Sequence, residues 1–269
     1  MEALRHNAVS GLFYPDDCTK IIELIHSFNQ KADYDHVLPK LGNIIPRALI
    51  VPHAGYIYSG FTANLAYRSI AHTSPKRFIV IGPSHKYYFE GISGSFYEAF
   101  QTPCGNIPID SAYLFALAQR FKIAFVPQAH EKEHATEVQM PLIRYYFPHA
   151  SVIELIYGYL SEKRLSNIII ALLQNPDNMI IISSDLSHFH PLQEANHIDH
   201  YCTEGIQKLN LDTLRSCEAC GDIGLRAITL AAKYLKLHSI LLHYTTSAKY
   251  SHDNKSVVGY MSALFYQSY

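Results

Sequence analysis

The sequence predicts an α/β protein, one domain over residues 1–269, with a mixed, largely parallel sheet flanked by helices. Three observations predict it. Short β-branched runs that are apolar on both faces alternate with stretches of helical periodicity, which is how buried strands in a helix-covered sheet read. A chain of 269 residues is long enough for a sizeable core and close to the upper size for a single one. No internal repeat, linker or low-complexity stretch divides it.

The strands come in order. Arg47 to His53 is an apolar run ending in a turn, and Arg77 to Gly82 is a second, followed by Pro83-Ser84-His85. Ser151 to Tyr157 and Met179 to Ser184 are the third and fourth. Ile240 to Thr246 and Val257 to Phe265 complete the set. Between them lie helical patterns over 59–70, 111–121, 138–147, 161–173, 191–209 and 223–235. Asp110-Ser111 supplies an N-cap signal, Pro141 sits in a tolerable first-turn position, and Ser161 opens an imperfect capping box. Gly91 to Asp110, punctuated by Gly and Pro, reads as a β excursion or hairpin.

Composition narrows the function classes. Twenty-two basic against 23 acidic residues leave a net charge of −1, which gives no footprint for nucleic acid or an anionic membrane. A hydrophobic share of 48% excludes disorder. The apolar runs are far shorter than the roughly 20 residues that span a bilayer. The first residues carry no apolar signal-type segment, and five cysteines, an odd count, do not read as a disulfide framework. The expectation is a soluble protein of the reducing cytoplasm.

Three of the strands end in histidine-bearing turns: Pro52-His53-Ala54-Gly55, Pro83-Ser84-His85, and Ser184-Asp185-Leu186-Ser187-His188. Ligands of open α/β sheets bind beyond the carboxyl ends of strands, so these turns should converge on one rim. A lone histidine at a strand end is more often structural; three in one context favour a site. Imidazole suits iron, copper, zinc and nickel. Cys220, just before the helix near Ile223, adds a sulfur donor whose thiolate a helix N-terminus would favour. Asp185 and His188, three apart, fit a base with its orienting carboxylate.

Three competing signals need a bland reading beside the sharp one. His130-Glu131-Lys132-Glu133-His134 matches H-E-x-x-H, but Pro127 precedes it and no apolar stripe accompanies it. A solvated polar turn is the better reading than a zinc peptidase. Cys217-x-x-Cys220 lacks the second pair of a zinc knuckle and reads as two half-buried thiols. His197 and Asp199-His200-Tyr201 read as the solvated face of a helix.

Taken together, Pro52 to Gly60, Gly82-Pro83-Ser84-His85, Glu133-His134 through Glu137 to Pro141, Ser183 to His188 and Cys220-Gly221 resemble the Memo family in content and order, from about Arg47 to the C-terminus. Its bacterial and archaeal members are called AmmeMemoRadiSam system protein B. The resemblance implies a fold like that of class III extradiol dioxygenases. It implies His53, His85 and Cys220 as metal ligands, and Asp185 and His188 as the acid/base side of the pocket. Tyr56, His134 and Glu137 become pocket wall or support for the ligands. One departure is Gly221-Asp222, where family members often carry Gly-Pro.

The leading expectation is a non-haem Fe(II)-dependent, dioxygenase-like redox enzyme, with copper or zinc as alternative metals. A small-molecule or peptide ligand would occupy the pocket, and the resemblance adds a functional link to a radical enzyme. The rivals are a non-catalytic binding module on the same fold and a zinc hydrolase.

Overall fold

The computed structural model describes residues 4–38 and 42–268. Its strands are β1 (Leu4–Arg5), β2 (Ile44–Val51), β3 (Arg77–Pro83), β4 (Ile92–Gly94), β5 (Ala99–Phe100), β6 (Ile107–Pro108), β7 (Ser151–Tyr157), β8 (Asn178–Ser183), β9 (His188–His190), β10 (His238–Thr246) and β11 (Val257–Ser268). Its helices are α1 (Cys18–Tyr34), α2 (Tyr56–Ser69), α3 (Ser111–Phe121), α4 (Pro127–Glu131), α5 (Met140–Tyr146), α6 (Glu162–Leu173), α7 (Leu192–Gln207), α8 (Leu211–Leu214), α9 (Asp222–Leu235) and α10 (Ala248–Ser251).

The architecture is mixed α/β. The main sheet runs β10-β11-β2-β8-β3-β7-β4, with β9 pairing onto β11. Its centre is parallel: β2 with β8, β8 with β3, and β3 with β7. Antiparallel strands flank that centre, β11 and β10 on one side and β4 on the other. The β excursion predicted over Gly91 to Asp110 divides. β4 joins the main sheet, while β5 and β6 form an antiparallel pair that β1 extends in parallel.

Both faces of the sheet are covered, which explains the unbroken apolar runs. Successive side chains alternate between faces. Ile50, Ile79, Ile81, Ile180 and Ile182 pack with Leu165 and Ile169 of α6 and Leu225 and Ile228 of α9. Leu49, Val51, Phe78, Val80 and Ile181 pack on the other side with Ile21 and Ile25 of α1 and Ala63 and Tyr67 of α2. Truncating one such residue, Ile181→Ala for instance, costs about 2–5 kcal/mol.

Local signals placed the helix starts. Asp110 caps α3 by accepting from the Tyr113 N–H, and Ser161 caps α6 by accepting from the Arg164 N–H. The pattern over 138–147 resolves into a 3₁₀ turn, Glu137–Gln139, running into α5 with Pro141 in its first turn. Helix α1 has no counterpart in the sequence reading; its N-cap is Asp17, whose side chain accepts from the Lys20 N–H.

The cysteine expectation is overturned. Cys18 pairs with Cys104 and Cys202 with Cys217, leaving Cys220 as the free thiol. An odd count conceals two bridges plus one reserved sulfur, so the argument from cysteine number to a reducing compartment falls away. Among the described residues, no helix is long and apolar enough to cross a membrane.

Candidate metal centre

The sheet order brings the three histidine-bearing turns together. β8 lies between β2 and β3 and all three run parallel, so their carboxyl ends sit side by side. Val51 is level with Ser183, and Ile81 with Ile182. The turns that follow β2, β3 and β8 therefore share one rim.

His53 is buried, with 1% of its surface exposed. Its backbone N–H donates to Asp185 Oδ1 at 2.7 Å. Its Nδ1 lies 3.0 Å from Ser183 Oγ, and Ser183 donates its only hydroxyl proton to the Ala135 carbonyl at 2.5 Å. Ser183 Oγ also accepts from Gln139 Nε2 at 3.0 Å. The serine is thus an acceptor toward the ring, which puts the imidazole proton on Nδ1 and the lone pair on Nε2. That Nε2 stands 3.2 Å from Cys220 Sγ. Burial, then the neighbouring His85 and His134, hold the His53 pKa well below the usual imidazole value, so the ring is neutral and able to ligate.

His85 is partly exposed and held by Glu133. Its backbone N–H donates to Oε2 at 2.6 Å, and its Nδ1 donates to Oε1 at 2.9 Å. This leaves Nε2 free. Burial alone would raise the Glu133 pKa, but hydrogen bonds from His134 and His85 outweigh it and hold the carboxyl well below the usual range. His134 completes the group. Its ring centre is 4.6 Å from that of His85 and 5.3 Å from that of His53, and Phe13 packs 4.8 Å away.

Cys220 comes from the turn before α9. Its sulfur accepts from the Asp185 N–H at 3.3 Å. The approach depends on Gly221, whose N–H donates to Ser184 Oγ at 3.0 Å. A Cβ at that position would stand 2.6 Å from the Ser184 side chain, so only glycine lets α9 come so near β8. Two effects oppose the thiolate expected from the helix N-terminus. Burial and then the Asp185 charge push the Cys220 pKa up. A bound metal would reverse this by deprotonating the thiol. The donor atoms of His53, His85 and Cys220 all lie within 4.8 Å of one another.

Asp185 and His188, the expected carboxylate and base, interact through charge. The hydrogen bonds of the Asp185 carboxylate go to the backbone N–H groups of His53 and Ala54, and burial raises its pKa against their influence and that of the His188 and His134 charges. His188 sits on β9, half-buried, next to Phe189, an exposed residue with φ +65°. Tyr56 donates its hydroxyl to the Val138 carbonyl, and its backbone N–H to the Phe13 carbonyl. Glu137 anchors the N-terminal segment. It accepts from the N–H groups of Ala8 and Val9, from the Tyr14 hydroxyl at 2.8 Å, and pairs with buried Arg5.

Three bland readings are corrected. His130 and Glu133 are wholly buried, so the H-E-x-x-H match is not a solvated turn. His130 lies between Glu154 and Ser93, while Glu133 and His134 belong to the rim. Cys217 is bridged to Cys202 rather than half of a thiol pair. Asp199 is buried and accepts from the Ser187 N–H and the Tyr244 hydroxyl, although His197 and His200 are exposed. Sequence reasoning missed Glu133, Ser183 and Gln139 as supports of the histidines. The signal for Glu133 was its place directly before His134.

Comparisons with known proteins give relatives of nearly the whole chain. The family model described as Memo-like protein matches residues 5–264. A MEMO1 family protein of Methanobrevibacter smithii is 32% identical, covering 97% of this chain and 99% of its own. One from Aquifex aeolicus is 30% identical with the same coverage. A solved structure of an uncharacterised Escherichia coli K12 protein aligns with a TM-score of 0.55 at 12% identity, over 81% of this chain and 99% of that one. That likeness concerns the fold alone.

Proposed function

Since the chain belongs to the Memo-like protein family, we propose that its rim is a metal centre on His53, His85 and Cys220 serving a non-haem Fe(II)-type, dioxygenase-like redox activity, with copper as the softer occupant. One observation carries the reading: two imidazoles and a thiol from three distant stretches of chain present donor atoms within 4.8 Å of one another. Metal–nitrogen and metal–sulfur bonds of about 2.0–2.3 Å set neighbouring donors about 3–3.5 Å apart, and His53 Nε2 and Cys220 Sγ, at 3.2 Å, already have that spacing. Three protein ligands with open positions are the arrangement that non-haem iron oxygen chemistry uses, and the metal would supply that chemistry.

The chain's own residues do the rest. Ser183 and Glu133 fix the tautomers of His53 and His85 so that each ring offers Nε2. The Asp185 N–H supports the sulfur, and its carboxylate holds the His53 backbone in place. Buried Asp185, with a raised pKa, is suited to keep or release a proton beside the donors.

The test is metal retention and oxygen uptake together. Wild type, His53→Ala and Cys220→Ser are purified from iron-supplied cells and assayed by elemental analysis. The reading expects stoichiometric metal in the wild type only, and oxygen consumption by the anaerobically reconstituted wild type with a catechol-type or thiol substrate. Full metal in either variant overturns the ligand set. Metal without oxygen uptake overturns the redox activity.

A further inference from the structure

We propose that the pocket holds a second, harder cation position, on His85, Glu133 and His134, that competes with the sulfur-containing one for the His85 ring. It rests on the metal-centre reading only through that shared histidine. Glu133 Oε1 lies 2.9 Å from His85 Nδ1 and 3.2 Å from His134 Nδ1, and the three donor atoms fall within 4.8 Å of one another. Donors bound at right angles to a cation with bonds of about 2.0–2.2 Å sit about 3 Å apart. The two oxygen–nitrogen spacings already have that value.

The carboxylate is built in place. Oε2 accepts from the His85 N–H, and Oε1 accepts from the N–H groups of His134 and Ala135, each at 2.9 Å. An ion would replace the two ring protons that now face Oε1. The His85 and His134 side chains keep 26% and 16% exposure over a fully buried Glu133, so both rings border solvent.

The competition follows from imidazole chemistry. A neutral ring has one lone pair. With its proton on Nδ1, His85 offers Nε2 to the side of His53 and Cys220. With the proton moved to Nε2, it offers Nδ1 to Glu133 and His134, and the proton stays on the ring. An ion on one side therefore withdraws His85 from the other. Two nitrogens and a carboxylate suit Mn(II), whereas the thiolate set favours softer ions. The pocket sorts cations by hardness.

The experiment uses the full-length, metal-stripped chain and two probes. Mn(II) binding is followed by loss of the free-ion electron paramagnetic resonance signal, and Cd(II) binding by thiolate charge-transfer absorption. Wild type and Cys220→Ser should each take up one Mn(II). Glu133→Gln and His134→Gln should bind it at least tenfold more weakly. Cd(II) absorption should vanish in Cys220→Ser and persist in His134→Gln, and Cd(II) should expel Mn(II) from the wild type. His134→Gln leaves every backbone bond to Glu133 intact, so it reports even where Glu133→Gln fails to fold. Wild-type Mn(II) affinity in His134→Gln, or loss of Mn(II) in Cys220→Ser, overturns the second position. Mn(II) and Cd(II) bound together overturn the competition. Cd(II) absorption surviving in Cys220→Ser instead overturns the first ligand set.

Discussion

The Nε2 atom of His53 lies 3.2 Å from the sulfur of Cys220, a residue 167 positions away in sequence. Gly221 makes the approach sterically feasible, since any Cβ there would stand 2.6 Å from the Ser184 side chain. Gly221→Ala should therefore push α9 and its preceding turn outward. Overpacking of this kind costs about 1–3 kcal/mol. The expected result is a folded protein with a lower urea midpoint and at least tenfold weaker metal retention, read by denaturation and elemental analysis. Unchanged retention would detach Gly221 from the site.

Ser183 orients the His53 ring without itself being a candidate ligand. It accepts from Nδ1 while its proton goes to the Ala135 carbonyl. Ser183→Ala removes the acceptor, frees the tautomer and leaves Gln139 Nε2 with only the Pro52 carbonyl. Supports of this kind are worth about 10–100-fold in metal affinity. Competition titration against a chelator should show that loss, with a stability change of about 1–3 kcal/mol from the unpaired buried groups.

The Cys202–Cys217 bridge ends three residues before Cys220, and it ties α7 to the turn that carries the sulfur. Protein denatured without reductant should titrate one thiol, and after reduction five. The double variant Cys202→Ser, Cys217→Ser opens a loop with a sequence separation of 15, worth about 3 kcal/mol in the chain-entropy account. Its thermal midpoint should fall accordingly, and Cd(II) absorption at Cys220 should weaken as the turn loosens. Three or more thiols in the unreduced protein would remove the premise.

Much of this was legible beforehand because strands and their ends obey local rules. The runs ending at His53, His85 and Ser184 are apolar on both faces, so they had to be buried. A parallel arrangement then leaves their polar turns only one rim to share. What was not legible depends on distant pairing. Nothing near Glu133 says that its carboxylate will receive His85, 48 positions earlier, and a charged pentapeptide reads as solvated until its partners are known. Glu137 looked like pocket wall by its place in a motif, yet its bonds go to Ala8, Val9, Tyr14 and Arg5, a segment the apolar pattern left blank. Cysteine pairing failed for the same reason: Cys18 and Cys104 stand 86 positions apart in sequence.

His243 gives a pH dependence independent of the metal centre. Its Nδ1 is bonded to Thr62 Oγ1 at 2.9 Å, and its ring lies 5.3 Å from that of Phe61. Burial, then the charges of Lys249 and Lys31, hold its pKa down to about 4. In the unfolded chain the ring titrates near its ordinary value of about 6.5. Between those values the unfolded state binds a proton that the native state refuses, so stability rises with pH and is lost as pH falls from about 6.5 toward 4. Asp185 and Asp199, whose burial raises their pKa, act in the opposite sense, so the informative quantity is a difference between variants. From pH 7 to pH 5 the wild type should lose about 2 kcal/mol more than His243→Gln in urea denaturation. Parallel profiles for the two proteins would mean that the ring gains a proton in the native state as readily as in the unfolded one. Burial and the two lysine charges would then exert no net hold on the ring.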